Sequence, residues 1–255
     1  QYKIIKQMVK ERRNFWLEFD IRNHFKLGPV KYHNVVASIN GTKYPDEYVI
    51  ISGHLDSYDV ATGGIDCGTG IGPMMEAARM IALSGAKPKR TILFVAFAGE
   101  EFGLLGAKSY VKTHAKELGK IANLFNRDGG PTPPVGISVP QAMYDDFVEV
   151  CKPVKEIRAD YPFEVKVAKP FKRPTQSGGT DASVFAVEGV PTFGFNTQDI
   201  KGYNFSYGEI WHTERDLYTK NIPEYQEHAA TVTAVVALGI ANLSKQLSRE
   251  GMHKK

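Results

Sequence analysis

The sequence predicts an α/β fold in which a mixed central β-sheet carries helices on both faces. Strand-like apolar runs alternate with helical patterns from about residue 48 onward, as they do in sheets flanked by helices. Asn40-Gly41 separates two earlier strand-like runs, and this dipeptide is a strong signal for a hairpin between antiparallel strands. The sheet is therefore predicted to be mixed rather than purely parallel.

The individual elements follow from the spacing of apolar residues along the chain. Residues 3–11 have apolar side chains at helical intervals, and in residues 15–21 apolar and polar side chains alternate as in a strand. Pro223 suits the first turn of a final helix. We predict strands at 15–21, 34–39, 48–52, 91–97, 121–125, 163–167 and 192–195. We predict helices at 3–11, 69–83, 102–114, 143–150, 181–187 and 223–247.

Length and composition limit the class of protein. The 255 residues, with a net charge of +4, predict a single domain over residues 1–255. Lysine and arginine are spread along the chain, which argues against nucleic-acid binding, and no apolar run reaches the roughly 18 residues of a transmembrane helix. Cys67 and Cys151 are too few for a disulfide framework, and we predict that they are not bonded to each other.

Acidic residues and histidines follow the predicted strands at several points. His54 and Asp56 come just after the strand at 48–52, Glu100-Glu101 after the strand at 91–97, and Asp128 after the strand at 121–125. Open α/β sheets hold their ligands at such strand ends, and buried carboxylates need a cation to neutralise them. With Asp66 before a helix and His212 in a polar loop, the pattern predicts a metallohydrolase.

Each of these residues also has an ordinary structural explanation. Asp66 can cap the helix that follows it, and Glu100-Glu101 can be the acidic first turn of the next helix. A single histidine such as His212 is more often a surface or core residue than a metal ligand. Their joint occurrence at successive strand ends favours the metal site.

Several of these motifs recur in one order in a known family. The chain resembles the dinuclear zinc exopeptidases of the aminopeptidase and plasma glutamate carboxypeptidase type over about residues 15–243, nearly its whole length. This resemblance implies the zinc-exopeptidase three-layer sandwich. The motifs that carry it are His54-Leu-Asp-Ser, Gly64-Ile-Asp-Cys-Gly-Thr-Gly, Gly99-Glu-Glu-Phe-Gly, Arg127-Asp-Gly-Gly, Gly178-Gly-Thr-Asp-Ala-Ser-Val-Phe with Gly189-Val-Pro, and Trp211-His-Thr.

The resemblance also implies roles for individual residues. Two divalent ions, expected to be zinc, would be bridged by Asp66, with His54 and Asp128 completing one position and Glu101 and His212 the other. Glu100 would be the general base that activates a water for attack on the peptide carbonyl.

The side chain of Asp56 is expected to hydrogen-bond the His54 imidazole and fix its tautomer. The substrate would be a peptide or dipeptide, and the aromatic residues Tyr203, Phe205 and Tyr207 before His212 are candidates to line its pocket.

The chain departs from the family pattern at two positions. Cys67 follows the bridging Asp66, where the family usually has Asp or Asn, and Asn126 stands where one branch has Glu. That branch also carries a protease-associated domain before the region where this chain starts. Since the chain begins with Gln1 and no signal peptide follows, we expect that upstream sequence is missing and that the whole protein is exported, either secreted or periplasmic.

Two alternative functions stay open at this point. A glutaminyl cyclase of the same fold would use a single zinc for intramolecular amide chemistry, and a binding ectodomain could have kept the fold without activity. The presence of both His54 and Asp128 favours hydrolysis over the first, and unbroken ligand positions argue against the second.

Overall fold

A four-stranded mixed sheet positions the polar strand ends. The computed structural model of the protein describes residues 1–24 and 28–254, and within it the strand order is β1–β3–β2–β4. Strand β3 pairs with β2 in parallel and with β1 antiparallel, and β4 is parallel to β2, which confirms the predicted mixed sheet. The strands are β1 (Val35–Ile39), β2 (Tyr44–His54), β3 (Arg90–Phe97) and β4 (Ile121–Asn126).

The predicted hairpin between β1 and β2 is wrong, since β3 lies between these two strands. The connection at residues 41–44 instead crosses the beginning of β3, where Gly41 N–H donates to the Thr91 hydroxyl and Thr42 N–H to the Pro88 carbonyl. A Cβ atom on Gly41 would lie 2.7 Å from the backbone of residues 89–91. Gly41 is therefore required for this close crossing rather than for a two-residue turn.

The remaining strands form two smaller sheets. Strand β5 (Pro134–Pro140) lies between β6 (Glu164–Ala168) and β8 (Phe195–Thr197), while β7 (Phe171–Lys172) pairs with β9 (Met252–Lys254). The helices are α1 (Tyr2–Lys10), α2 (Gly68–Leu83), α3 (Leu105–Thr113), α4 (Tyr144–Ile157), α5 (Asp181–Val187) and α6 (Pro223–Asn242). Among the described residues, no helix is both long and apolar enough to cross a membrane.

The main sheet is covered on both faces, as the sequence predicted. Val49 and Ile51 of β2 point to a core cluster that includes α2, α4 and α6, and Ile50 points to a second cluster with α3 and α5. This alternation follows from the two-residue period of a strand, in which successive side chains face opposite sides. The result is a layer of helices on each side of a mixed sheet.

The chain divides into two compact units, residues 1–31 and residues 32–255. The first unit contains α1, close to the predicted helix at 3–11. The predicted strand at 15–21 is wrong, because these residues have no regular structure and the side chains of Trp16 and Phe19 are exposed. Alternating apolar residues form a strand only where a partner strand and a buried face are present, and within the described part of the chain residues 15–21 have neither.

Candidate metal centre

The parallel strands β2, β3 and β4 end at the same edge of the sheet, and the candidate ligands meet there. His54 is the last residue of β2 and its side chain is 1% exposed. Its Nε2 lies 2.9 Å from Oδ1 of Asp66 and 3.5 Å from Oδ1 of Asp128. Burial alone lowers the pKa of His54, but hydrogen bonds to Asp128 and Asp66 outweigh it and raise that pKa to about 12.

The same edge holds a second cluster, formed by Glu101 and His212. Nε2 of His212 lies 2.9 Å from Oε2 of Glu101, whose side chain is 4% exposed. The other oxygen of Glu101, Oε1, is buried and has no hydrogen-bond partner among the described residues. The His212 ring is packed between Tyr58 and Trp211, each with its ring centroid 4.3 Å away. This packing fixes the orientation of the imidazole.

The donor atoms suit a divalent cation such as zinc. Ligand atoms of His54, Asp66 and Glu101 all lie within 4.8 Å of one another, a separation close to that of ligands around one zinc ion. Oδ2 of Asp66 is 2.8 Å from the Tyr207 hydroxyl, so the carboxylate is held by His54 on one side and Tyr207 on the other. The unpartnered Oε1 of Glu101 is available to a cation, which would offset the cost of a buried carboxylate oxygen without a partner.

Asp56 organises the site in a different way from the one expected. The backbone carbonyl of Asp56 lies 2.9 Å from Nδ1 of His54, whereas its carboxylate oxygen Oδ1 is 3.8 Å from the same nitrogen. The carboxylate instead accepts the backbone N–H groups of Glu100 at 3.0 Å and Glu101 at 3.1 Å. The tautomer of His54 is thus set by the main chain of Asp56, and its side chain fixes the Glu100-Glu101 turn.

Glu100 lies beside the candidate ligand Glu101 in an open cleft of about 560 Å³. Burial, followed by repulsion from Asp128, raises the pKa of the Glu100 carboxyl to about 8. A carboxyl with a raised pKa is suited to accept and return a proton near neutral pH. The cleft is lined by Asp66, Glu100, Glu101, Gly103, Leu104, Lys108, Asp128, Gly129, Ser177, Gly178, Gly179, Thr180, Tyr207, Trp211 and His212.

The three aromatic residues proposed for the substrate pocket occupy different places. Tyr207 lines the cleft through its contact with Asp66. Tyr203 and Phe205 are not among the lining residues: the Tyr203 hydroxyl donates to Glu224, and Phe205 packs against a small apolar cluster that includes Tyr225. Trp211 lines the cleft and was not singled out for this role.

Two further buried carboxylates belong to the surroundings of the centre, and the sequence analysis assigned a role to neither of them. Asp216 is 2% exposed and accepts the backbone N–H groups of Ile65 and Asp66. Asp181, the first residue of α5, is fully buried and neither of its oxygens has a hydrogen-bond partner among the described residues. Burial raises the pKa of Asp181 to about 7. Asp181 lies within the quoted motif that begins at Gly178, and Asp216 lies three residues after the quoted Trp211-His-Thr motif, which was the available signal.

Cys67 and Cys151 are free and buried, which confirms that they are not bonded to each other. The Cys67 thiol donates to the Arg127 carbonyl at 2.9 Å, and its sulfur occupies space next to Gly53 and Gly70 that a Cβ atom on either glycine would enter. Burial raises the pKa of this thiol to about 12. Its sulfur also lies within 4.8 Å of ligand atoms of His54 and Asp128.

Comparison with known proteins identifies relatives of this chain among peptidases. Rat carboxypeptidase Q (Rattus norvegicus) is 32% identical over 231 residues, which are 89% of this chain and 46% of that protein. The Shewanella amazonensis SB2B peptidase M28 precursor has a TM-score of 0.70 and 33% identity, over 84% of this chain and 46% of its own. A Bacillus subtilis zinc aminopeptidase shares the fold, with a TM-score of 0.62 and 21% identity over 87% of this chain and 53% of its own.

The chain spans about half the length of the curated relatives it matches. A family model, described as Peptidase family M28, matches residues 34–236, a slightly shorter segment than the 15–243 over which the resemblance was predicted. The match covers all of the candidate ligands from His54 to His212. The chain belongs to peptidase family M28.

Proposed function

We propose that this chain carries a metal-dependent exopeptidase, of aminopeptidase, dipeptidase or carboxypeptidase type, that hydrolyses peptide bonds near a free terminus. The observation that carries the proposal is the convergence of His54, Asp66 and Glu101, whose ligand atoms lie within 4.8 Å of one another at the edge of the sheet. The zinc aminopeptidase and carboxypeptidase names among its relatives support the same class of reaction.

Two zinc ions would be held with Asp66 between them. His54 and Asp128 would complete one position, and Glu101 and His212 the other, which is supported by the closeness of His54 to Asp66 and Asp128 and of His212 to Glu101. Two bound divalent ions supply a water of lowered pKa and a polarised peptide carbonyl.

The remaining steps fall to side chains of the chain itself. Glu100 would take a proton from the attacking water and return it to the leaving amine, which suits a carboxyl whose pKa is raised to about 8. Asp56 would keep Glu100 and Glu101 in place through their backbone N–H groups. Tyr207 would hold the bridging carboxylate of Asp66.

The test is the metal content and substrate range of the purified chain. We expect two zinc ions per chain, hydrolysis of peptides with a free terminus, and no hydrolysis of the same peptides blocked at both ends. One bound ion together with cyclisation of an N-terminal glutamine would favour the glutaminyl cyclase alternative. Two bound ions without hydrolysis across a dipeptide panel would favour an inactive binding domain.

An exported location, either secreted or periplasmic, is part of the same proposal. The description of the Shewanella relative as a precursor supports it. Fractionation of cells that express the complete gene product, followed by immunoblotting of each fraction, tests it.

A further inference from the structure

Lys108 is the feature of the cleft that the proposed chemistry does not use. Of the residues that line the cleft, all of them in the described part of the chain, it is the only lysine or arginine. Four carboxylates line the same space, from Asp66, Glu100, Glu101 and Asp128. A single cation on the wall of an otherwise acidic cleft needs an explanation of its own.

The position of the Lys108 ammonium group is defined by the turn that carries the base. Its Nζ donates to the Gly103 carbonyl at 2.8 Å. That turn begins at Glu100, whose carbonyl accepts the N–H groups of Gly103 and Leu104, both at 2.9 Å. An ammonium group has three donors, so two remain for a ligand in the cleft. The side chain is exposed, which leaves these donors accessible.

The charges of the cleft decide which end of a peptide Lys108 could recognise. If the two metals bind as proposed, Asp66, Glu101 and Asp128 are ligands and Glu100 is the proton carrier, so no lining carboxylate is free to bind a peptide ammonium group. Asp181 is fully buried and does not line the cleft. Lys108 is then the charged group of the cleft wall that has no assigned role. Because it is a cation, the part of the peptide that it binds must be an anion.

We propose that Lys108 binds the free α-carboxylate of the substrate, so that the preferred substrates are short peptides with an unblocked carboxyl end close to the cleaved bond. This inference rests on the proposed function and specifies its substrate. A cleft of about 560 Å³ is within the usual size of small-ligand sites and has room for a dipeptide. Because Lys108 lines the same cleft as the candidate metal ligands, the recognised carboxylate would belong to a residue close to the cleaved bond.

The test compares one peptide in two forms, leucyl-alanine and leucyl-alanine amide, with the zinc-loaded protein. We expect the wild type to prefer the free acid. Lys108→Met should raise KM for the acid about tenfold and leave KM for the amide unchanged. The change falls on KM because the hydrogen bond from Lys108 to the α-carboxylate is made equally in the ground state and the transition state. Lys108→Arg should restore most of the preference, since it keeps the charge.

Lys112 provides a matched control on the same helix. It lies one turn after Lys108 on α3, is exposed, and does not line the cleft. Lys112→Met should leave both KM values unchanged. Equal use of acid and amide by the wild type, or the same acid-to-amide ratio in Lys108→Met, would overturn the inference.

A binding measurement keeps the inference separate from the proposed function. In the zinc-loaded Glu100→Gln variant, which is expected not to turn over, titration calorimetry gives dissociation constants for both forms of the peptide. Tighter binding of the acid, lost in Glu100→Gln/Lys108→Met, supports the role of Lys108 even if the wild type hydrolyses neither peptide. Equal binding of acid and amide in Glu100→Gln contradicts it, whatever the wild-type activity.

Discussion

The carboxylate of Asp216 holds the backbone of Asp66 in place, with Oδ2 accepting the Asp66 N–H at 3.1 Å and Oδ1 accepting the Ile65 N–H at 2.6 Å. Both acceptor positions are used, and the side chain is almost completely buried. The candidate bridging residue is therefore oriented by a carboxylate from the loop before α6, 150 residues away in sequence.

Asp216→Asn should weaken zinc binding although Asp216 is not a candidate ligand. The substituted amide keeps one acceptor and turns an NH₂ group toward a backbone N–H, so the loop at Asp66 must shift. We expect a loss of about 10- to 100-fold in zinc affinity, as for other residues that orient metal ligands, measured by competition with a chelating dye. Asp199→Asn is the control: Asp199 accepts the Tyr225 hydroxyl at a part-buried site and does not line the cleft, so zinc affinity should not change.

Glu100 and Glu101 should respond differently to replacement by glutamine. Glu101→Gln should lose most of one bound metal, because a neutral amide is a poorer ligand and the buried Oε1 would become an amide group without a partner. Glu100→Gln should keep both metals and lose about 10²- to 10⁴-fold in turnover. Metal content and peptidase rate are measured on the two variants in parallel. If Glu100→Gln loses a metal and Glu101→Gln keeps both, Glu100 is the ligand and Glu101 the base.

Gly64→Ala should damage the metal centre by moving the same loop. A Cβ atom at residue 64 would lie 2.2 Å from the backbone of Leu217 and Tyr218, which cannot move without displacing Asp216. We expect a loss of about 1–3 kcal/mol in the free energy of unfolding, together with weaker zinc binding.

Gly72→Ala is the matched control for this prediction. Gly72 lies in α2, and a Cβ atom there would meet no atom within 4 Å. Alanine favours the helix over glycine, so the free energy of unfolding should rise by about 0.5–1 kcal/mol. Equal effects of the two substitutions in urea denaturation would contradict the steric argument.

Buried His228 should make the protein less stable in acid. It is 0% exposed, stacks on Tyr161 and lies 2.8 Å from the Pro134 carbonyl, and burial lowers its pKa from 6.5 to about 4. The unfolded chain thus takes up a proton at a higher pH than the folded protein. The contribution of neutral His228 to stability is complete above pH 6.5 and is lost as pH falls toward 4, by roughly 3 kcal/mol in all.

The measurement is urea unfolding at pH 7.5 and at pH 4.5. The decrease in the free energy of unfolding between these values should be smaller in His228→Gln than in the wild type. The exposed His33→Gln should show the wild-type decrease. An unchanged pH dependence in His228→Gln would mean that other groups cause the acid sensitivity.

The general place of the site was predictable from the sequence, because parallel strands end at the same edge of a sheet. His54 at the end of β2 and Asp128 after β4 follow this rule directly. The position of His212 beside Glu101 depends on the path of a loop without regular structure, and here only the resemblance to a family indicated it. The role of Asp56 shows a finer limit, since sequence does not tell a side-chain oxygen from the carbonyl of the same residue.

The fold was predictable where the signal is periodic and less so where pairing is non-local. The alternation of Val49, Ile50 and Ile51 matches burial on both faces of the sheet. The Asn40-Gly41 signal was misleading, because a dipeptide reports local backbone preference and cannot indicate that β3 will lie between β1 and β2. Residues 15–21 had the right period, but no strand formed there.

The close contact between the Trp211 and His212 rings gives the metal centre an optical signal of its own. The chain has two tryptophans, and Trp16 is 98% exposed while Trp211 packs at 4.3 Å from a candidate ligand. Replacing Trp16 by Phe would leave Trp211 as the single tryptophan, whose emission depends on the charge and position of the adjacent imidazole. Binding of each ion, and the order in which the two positions fill, could then be followed in real time without a label.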